Sequence, residues 1–465
     1  MRSYWLKQEL ERAPARPQPL AGDVSTDICI VGGGFTGLWT ALHIKEADPS
    51  ADIAIIERDI CGGGASGRNG GFCMTWTSKV PLLYPVCGGQ ETVRMVEASE
   101  AAVRAIGQFC ADNGIDCEFR HDGWLWTASS EVQRDSWRTT IDILDKLGLH
   151  PFEELSSDEV ARRSGTHTHI GGVYETGTAT VQPAALARGL ARVCAERGVR
   201  IYENTAMTEL GRSAQPWVRT DRGMVKAAKV VLALNAWAHE LPEFRRAVMP
   251  ICADGIATAP IPERLERLGL RNGLAISDSR TMVDYYRRTT DGRMVYGKGG
   301  GGIPFAGRVG SRFDTESTRP GEVRAAMLRN YPEFADVRID ATWRGPATRT
   351  ATGLPMFGHM KGTPSIVYGH GYIGNGVGPS YNGGRILASL ALDRKDEWSE
   401  CPLVGAVGGK LLPPEPFRFF GGQMVRAAVR AKDRADDQGR KSGPLTRYLA
   451  GLAPSGLTAR TGDRY

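Results

Sequence analysis

Three glycines and one acid form the group of residues most able to do chemistry together. They stand in the run Gly32-Gly33-Gly34-Phe35-Thr36-Gly37 and at Glu57. The spacing is G-x-G-x-x-G, which gives each glycine a mechanical task. Gly32 makes a tight turn, Gly34 lets the backbone approach a pyrophosphate, and Gly37 lets the next helix pack close on the preceding strand. Phe35 and Thr36 fill the variable places before Gly37, and the helix that follows has first N–H groups that have no partner within it and suit an anion. Glu57 follows about twenty residues later, where a carboxylate accepts hydrogen bonds from a ribose. Arg58 stands beside it.

Such a glycine run means little alone, so the elements around it decide. Residues 28–31 are an apolar strand, 38–47 a helix, Asp48-Pro49-Ser50 a turn, and 53–56 a second strand ending on Glu57. That order is a dinucleotide-binding unit. An acid at its end selects a free 2′-hydroxyl, hence FAD or NAD. A second glycine-rich loop then runs through Gly64, Ala65, Ser66, Arg68, Asn69, Gly70 and Gly71. An NAD site does not need it. An extended FAD does, with Ser66 and Arg68 offered to phosphate oxygens. A third loop, residues 369–378, contains Gly374, Asn375, Gly376 and Val377 and opens a helix at Pro379. Proline suits a helix start. Aimed at the flavin ring, that positive helix end would stabilise charge arriving on reduction.

The run Gly64-Ala65-Ser66-Gly67-Arg68-Asn69-Gly70-Gly71 resembles the glycine oxidase/D-amino acid oxidase superfamily of FAD enzymes, in its γ-glutamylputrescine oxidase-like branch. The resemblance spans residues 20–430 and is strongest at the three loops and at the hairpin Asp284-Tyr285-Tyr286-Arg287 to Tyr296-Gly297-Lys298-Gly299-Gly300. It implies hydride transfer from an amine carbon to flavin N5, hydrolysis of the imine, and re-oxidation by O2 to H2O2. It also implies that the Met207 backbone meets the adenine, and that Asn235 stands where the family has glycine. Some relatives hold flavin covalently. Cys73 is placed for such a bond, but a buried structural thiol suits it better.

Stepping outward from the loops, the chain of 465 residues is long enough for two lobes with their own cores. The expected fold class is α/β, an α+β two-domain flavoprotein: a Rossmann-like FAD-binding domain with a β-sheet-based substrate domain. The FAD domain is expected to be discontinuous, over residues 26–100, 165–250 and 345–400. Residues 101–164 and 251–344 form the substrate domain, behind an N-terminal arm (1–25) and ahead of a C-terminal segment (401–465) with a flexible basic tail. Alternation along the 282–288 strand sends Tyr285 and Arg287 to one face. Tyr285, Arg287 and Tyr372 are the expected substrate contacts. Lys298 is the expected cation for oxygen reduction, and Trp343 and Arg344 the other catalytic candidates. Arginine at 287 or 344 would suit a carboxylate or phosphonate.

Net charge of +6 and a pI of 8.8 are mild, and much of the excess lies in the last forty residues, so neither a nucleic-acid nor a membrane patch is expected. No apolar run reaches the length of a membrane helix, and residues 1–5 do not begin a signal peptide, so a cytoplasmic protein is expected. Nine scattered cysteines without a C-x-x-C pattern predict no disulfide and no metal. The expected partners are a small-molecule amine and O2. The terminal arms are candidates for homo-oligomer contacts. Two alternatives stay open: a dehydrogenase passing electrons to a quinone or carrier, and a flavoprotein acting on an aminophosphonate or other anionic amine.

Overall fold

Apolar, β-branched runs build two eight-stranded sheets, and the cavity described below lies where they meet. The computed structural model describes residues 2–310, 315–405 and 411–453. The first sheet has the order Met356–Met360, Thr363–His370, Met224–Leu232, Val24–Val31, Ile53–Ile56, Arg200–Tyr202, with Trp217–Thr220 also paired to Met224–Leu232 and Met207–Gly211 paired to Trp217–Thr220. Its centre is parallel: Val24–Val31 pairs with both Met224–Leu232 and Ile53–Ile56. Every side chain of Ile53–Ile56 is buried, as a parallel strand covered on both faces requires. Helices Phe35–Ala47, Pro183–Glu196 and Pro379–Ala391 pack with this sheet and with each other.

The second sheet has the order Ile339–Thr350, Val248–Thr258, Met294–Lys298, Asp284–Arg288, Ala275–Asp278, Trp124–Ala128, Gly171–Glu175, Phe152–Leu155. It is antiparallel except where Ala275–Asp278 meets Trp124–Ala128. One face buries Tyr286, Tyr296, Tyr331 and Phe334 with helix Pro320–Asn330. The α/β two-sheet arrangement is the one expected.

Several expected boundaries need correction. Strands Val248–Thr258 and Ile339–Thr350 carry the second sheet from residue 248 to residue 350, past the expected bounds of 251 and 344. Helix Val80–Asp112 runs through residue 100, and Ala102, Val103 and Ile106 lie in the first lobe's core, so the insertion starts after the helix. Strand Gly171–Glu175 belongs to the second sheet, paired on both sides, because its two leading glycines hide the strand in the sequence. The chain returns to the first lobe at Pro183–Glu196. Finally, residues 435–453 are not an unstructured tail: helices Phe417–Asp437 and Pro444–Gly451 pack through Val425, Ala428, Val429, Leu449 and Ala450. The expectation for residues 454–465 lies outside the described residues.

Candidate cofactor and active site

The strand Val24–Val31 is apolar to its last residue, then turns at once through glycine. Gly32 has φ +118°, and a Cβ there would lie 2.5 Å from the Ala233 carbonyl oxygen, so the turn admits glycine alone. Gly37 is equally constrained: its Cβ would meet the Gly32 carbonyl at 2.0 Å. Helix Phe35–Ala47 thereby starts against the turn, with no acid in its first turn and a glycine, Gly34, as its N-cap. Its positive end faces a cavity of about 900 Å³, near the top of the roughly 300–1,000 Å³ range of small-molecule sites.

That cavity is walled by all three glycine loops. Gly32, Gly34, Phe35 and Thr36 line it, as do Glu57 and Arg58. Gly64, Ala65, Ser66, Arg68, Asn69 and Gly70 form the next stretch, and Met207 and Asn235 another. Gly374, Gly376 and Val377 close it from the third loop. Asn235 adopts φ +44°, the conformation in which asparagine can replace glycine. Glu57 is half-buried, and desolvation raises its pKa above the ordinary carboxylate value, while Asp59 N–H and Gly33 N–H donate to it at 2.9 and 2.8 Å. Two expected residues stand behind the wall. Gly71 makes a left-handed turn, and Asn375 is buried with its amide donating to the Thr75 carbonyl at 3.4 Å.

The second loop shows how a chain prepares a place for an anion. Four consecutive carbonyls, from Gly67 to Gly70, each accept from a side chain outside the cavity wall: Ser3 Oγ, Trp343 Nε1, Trp5 Nε1 and Arg287 Nε. Carbonyl oxygens would repel phosphate; here they are drawn away from the cavity. Ser66 Oγ accepts from the Phe35 N–H at 2.9 Å, and a Cβ on Gly34 would lie 2.9 Å from it, so the first two loops meet only because residue 34 is glycine. Bare backbone and outward carbonyls fit the pyrophosphate of FAD.

This arrangement reassigns two candidates. Arg287 is only 2 % exposed and lies behind the loop, donating to the Gly70 carbonyl at 2.9 Å and the Val181 carbonyl at 2.6 Å, with its guanidinium 4.7 Å above the Trp5 ring. Burial lowers its pKa to about 10. Trp343 is bonded to the Arg68 carbonyl at 3.0 Å. Both touch the loop, and neither lines the cavity. Lys298 and Arg344 are also turned aside by carboxylates. Lys298 bonds Asp284 at 2.5 Å, and Arg344 shares the fully buried Asp254 with Arg319. Alternation on a strand gives parity, but a buried acid on the neighbouring strand decides where a cation goes.

At the end next to the second sheet, Tyr285 lines the cavity on the side expected for it. A Cβ on Gly297 would fall 2.1 Å from its ring and one on Gly70 2.8 Å, so two glycines make its slot. Burial, with Asp254 adding to it, raises its hydroxyl pKa and keeps it neutral. Tyr372 lines the third-loop side, and burial raises its pKa too. Cys252 is pushed up to about 12 by burial and stays a thiol.

The sequence reading missed Arg349. It lines the cavity together with Gly345 and Ala347, at the same parity of strand Ile339–Thr350. Following that strand five residues beyond Arg344 would have found it.

A family model described as DAO, FAD dependent oxidoreductase, matches residues 27–390. Gamma-glutamylputrescine oxidoreductase of Escherichia coli (strain K12) is 30% identical over 429 residues, which cover 90% of this chain and 96% of that protein. Glycine oxidase of Pseudomonas aeruginosa is 26% identical over 381 residues, or 80% of this chain and 96% of the relative. Among solved structures, glycine oxidase from Geobacillus kaustophilus superposes with a TM-score of 0.66 at 21% identity, covering 82% of this chain and 98% of that one.

Proposed function

Because the chain belongs to the DAO family of FAD-dependent oxidoreductases, we propose that it oxidises a C–N bond of an amine or amino acid-like substrate. Two electrons and two protons leave the substrate and convert O2 to H2O2. Water then hydrolyses the resulting imine to an aldehyde or ketone and an amine. The observation that carries this reading is one cavity lined both by the dinucleotide loops and, from the second sheet, by Tyr285 and Arg349. Relatives named for γ-glutamylputrescine and for glycine support an amine as substrate.

Bound FAD supplies the acceptor for the electron pair and hydrogen leaving the substrate carbon. The side chains do the rest. Arg349 offers a cation to a substrate carboxylate or phosphonate, setting which end of the molecule points away from the reacting carbon. The neutral Tyr285 hydroxyl lines the same cavity and donates or accepts one hydrogen bond. Met74 and Ile251 contribute apolar wall that excludes water. The carboxylates lining the cavity, Glu57, Asp59, Glu209 and Glu240, belong to the nucleotide-binding lobe. Loss of hydride from the carbon needs the neutral amine, and its orientation contributes more than any base.

The acceptor is tested by measuring H2O2 formed per amine consumed in air-saturated buffer. The proposal expects one for one. Turnover that requires an added quinone, with no peroxide, would replace the oxidase by a dehydrogenase.

A further inference from the structure

Exposed apolar side chains are ordinary singly and informative in clusters. Of the ten large hydrophobic residues exposed among the described ones, eight are Phe305 or lie between residues 411 and 452. Two stripes dominate. On helix Phe417–Asp437, Phe417, Phe420 and Met424 follow an i, i+3, i+7 pattern, and on helix Pro444–Gly451 and its next residue Leu445, Tyr448 and Leu452 repeat it. These six side chains are 54 to 72 % exposed. Phe305 adjoins the first stripe through the Phe419 ring, 5.2 Å away.

Folding does not account for the stripes, because the helices are held by other faces. Val425, Ala428, Val429, Leu449 and Ala450 pack together with Met282. Arg426 donates to the Gly300 carbonyl at 2.9 Å, and Asp433 accepts from the Met282 N–H at 3.3 Å.

Charge is sorted in the same way. Residues 411–453 contain four acids, and all are engaged: Glu415 by Arg418, Asp436 by Lys432, Asp437 by Arg280, and Asp433 by the Met282 backbone. Arg434, Arg440 and Arg447 are exposed and donate to neutral acceptors, the Arg430 carbonyl, Gln438 and the Ser442 carbonyl. Lys441 is exposed as well. The exposed groups of the two helices are thus apolar side chains and cations, with every acid among residues 411–453 already engaged.

We propose that this C-terminal helix pair docks the enzyme on an anionic lipid surface. Aromatic and thioether side chains enter the headgroup boundary, and Arg434, Arg440, Lys441 and Arg447 pair with the headgroups. A second copy of the chain fits less well, since a two-fold contact would bring the same cations together. A surface of small positive net charge per chain misses this, because the sequence does not show which acids are already neutralised. The docking face is the reverse of the helix that holds Met282 and Gly300. Docking therefore places two cavity-lining segments, Thr281 with Val283 and Gly299 with Gly300, one helix away from lipid.

The test is co-sedimentation of the FAD-loaded protein with phosphatidylcholine vesicles, with and without phosphatidylglycerol. The proposal expects at least about tenfold more protein on the anionic vesicles, reversed by high salt. Phe417→Ser, Phe420→Ser and Met424→Ser together abolish it, as does the pair Lys441→Glu and Arg447→Glu, with flavin content unchanged in both. Wild-type protein left in the supernatant, or variants that still bind, would overturn it. So would light scattering that finds a wild-type dimer broken by the triple substitution, which assigns the face to a second copy.

Discussion

Replacing Arg287 by alanine leaves the Gly70 and Val181 carbonyls without their shared donor and removes the cation above Trp5. If Arg287 shapes the cofactor loop, Arg287→Ala weakens FAD binding by roughly 10- to 100-fold, and Arg287→Lys, which cannot span two carbonyls with a planar fork, recovers little of it. Flavin fluorescence titration of the apoprotein reads this directly. An unchanged FAD affinity with a raised KM for amine would return Arg287 to the substrate. Lys79 gives a pH-dependent case. It is buried, and burial followed by the Arg349 charge lowers its pKa from 10.5 to about 7. The unfolded chain keeps this proton up to near 10.5, whereas the folded chain has released it above about 7. The cost is therefore fully present below that value and fades as pH rises through the window, so stability rises there with pH. Lys79→Met should stabilise the protein by about 2 kcal/mol in mildly acidic buffer and by less at alkaline pH, measured by chemical unfolding at each pH. At this scale, residues whose backbone makes the site were legible, since glycine spacing states its purpose. Trp343, Arg344, Lys298 and Arg287 were not, because a long side chain follows the nearest buried carbonyl or carboxylate, which lies elsewhere in the chain.

The N-terminal helix Tyr4–Arg12 is an element whose purpose the sequence hides. Its Trp5 and Leu6 are fully buried, and Ser3 both caps the helix and donates to the Gly67 carbonyl. Trp5 spans 64 residues of sequence to reach Asn69. Gln182, the cap of helix Pro183–Glu196, donates to the Trp5 carbonyl at 2.9 Å. The helix is thus the back wall of the second loop. Trp5→Phe retains most of the buried area and removes the Asn69 bond, so it should lower FAD affinity about tenfold with a loss of unfolding free energy in the apoprotein of about 1 kcal/mol. Equal losses of stability in apo and FAD-loaded protein would make the helix purely structural. Strand–turn–helix units around the glycine loops were readable because their signals are local. The arm was read as an arm because its partners are not local, and strand Gly171–Glu175 was missed because two glycines carry no alternation.

Across the whole molecule, the two sheets divide the work. The parallel sheet delivers glycine turns to one side of the cavity, and the antiparallel sheet delivers Tyr285, Gly345, Ala347 and Arg349 to the other. No helix among the described residues is long and apolar enough to cross a membrane. Contact of the C-terminal face with lipid is peripheral. The central claim is that amine and flavin meet in this one cavity. It is tested by mixing the purified yellow protein without oxygen with γ-glutamylputrescine, polyamines, sarcosine, glycine, D-amino acids and aminophosphonates, and following the flavin band at about 450 nm. Bleaching by one class of amine is expected, strongest for members carrying an anion that Arg349 can hold, with return of the band in air and release of H2O2. A flavin-loaded protein that none of these amines bleaches would contradict it.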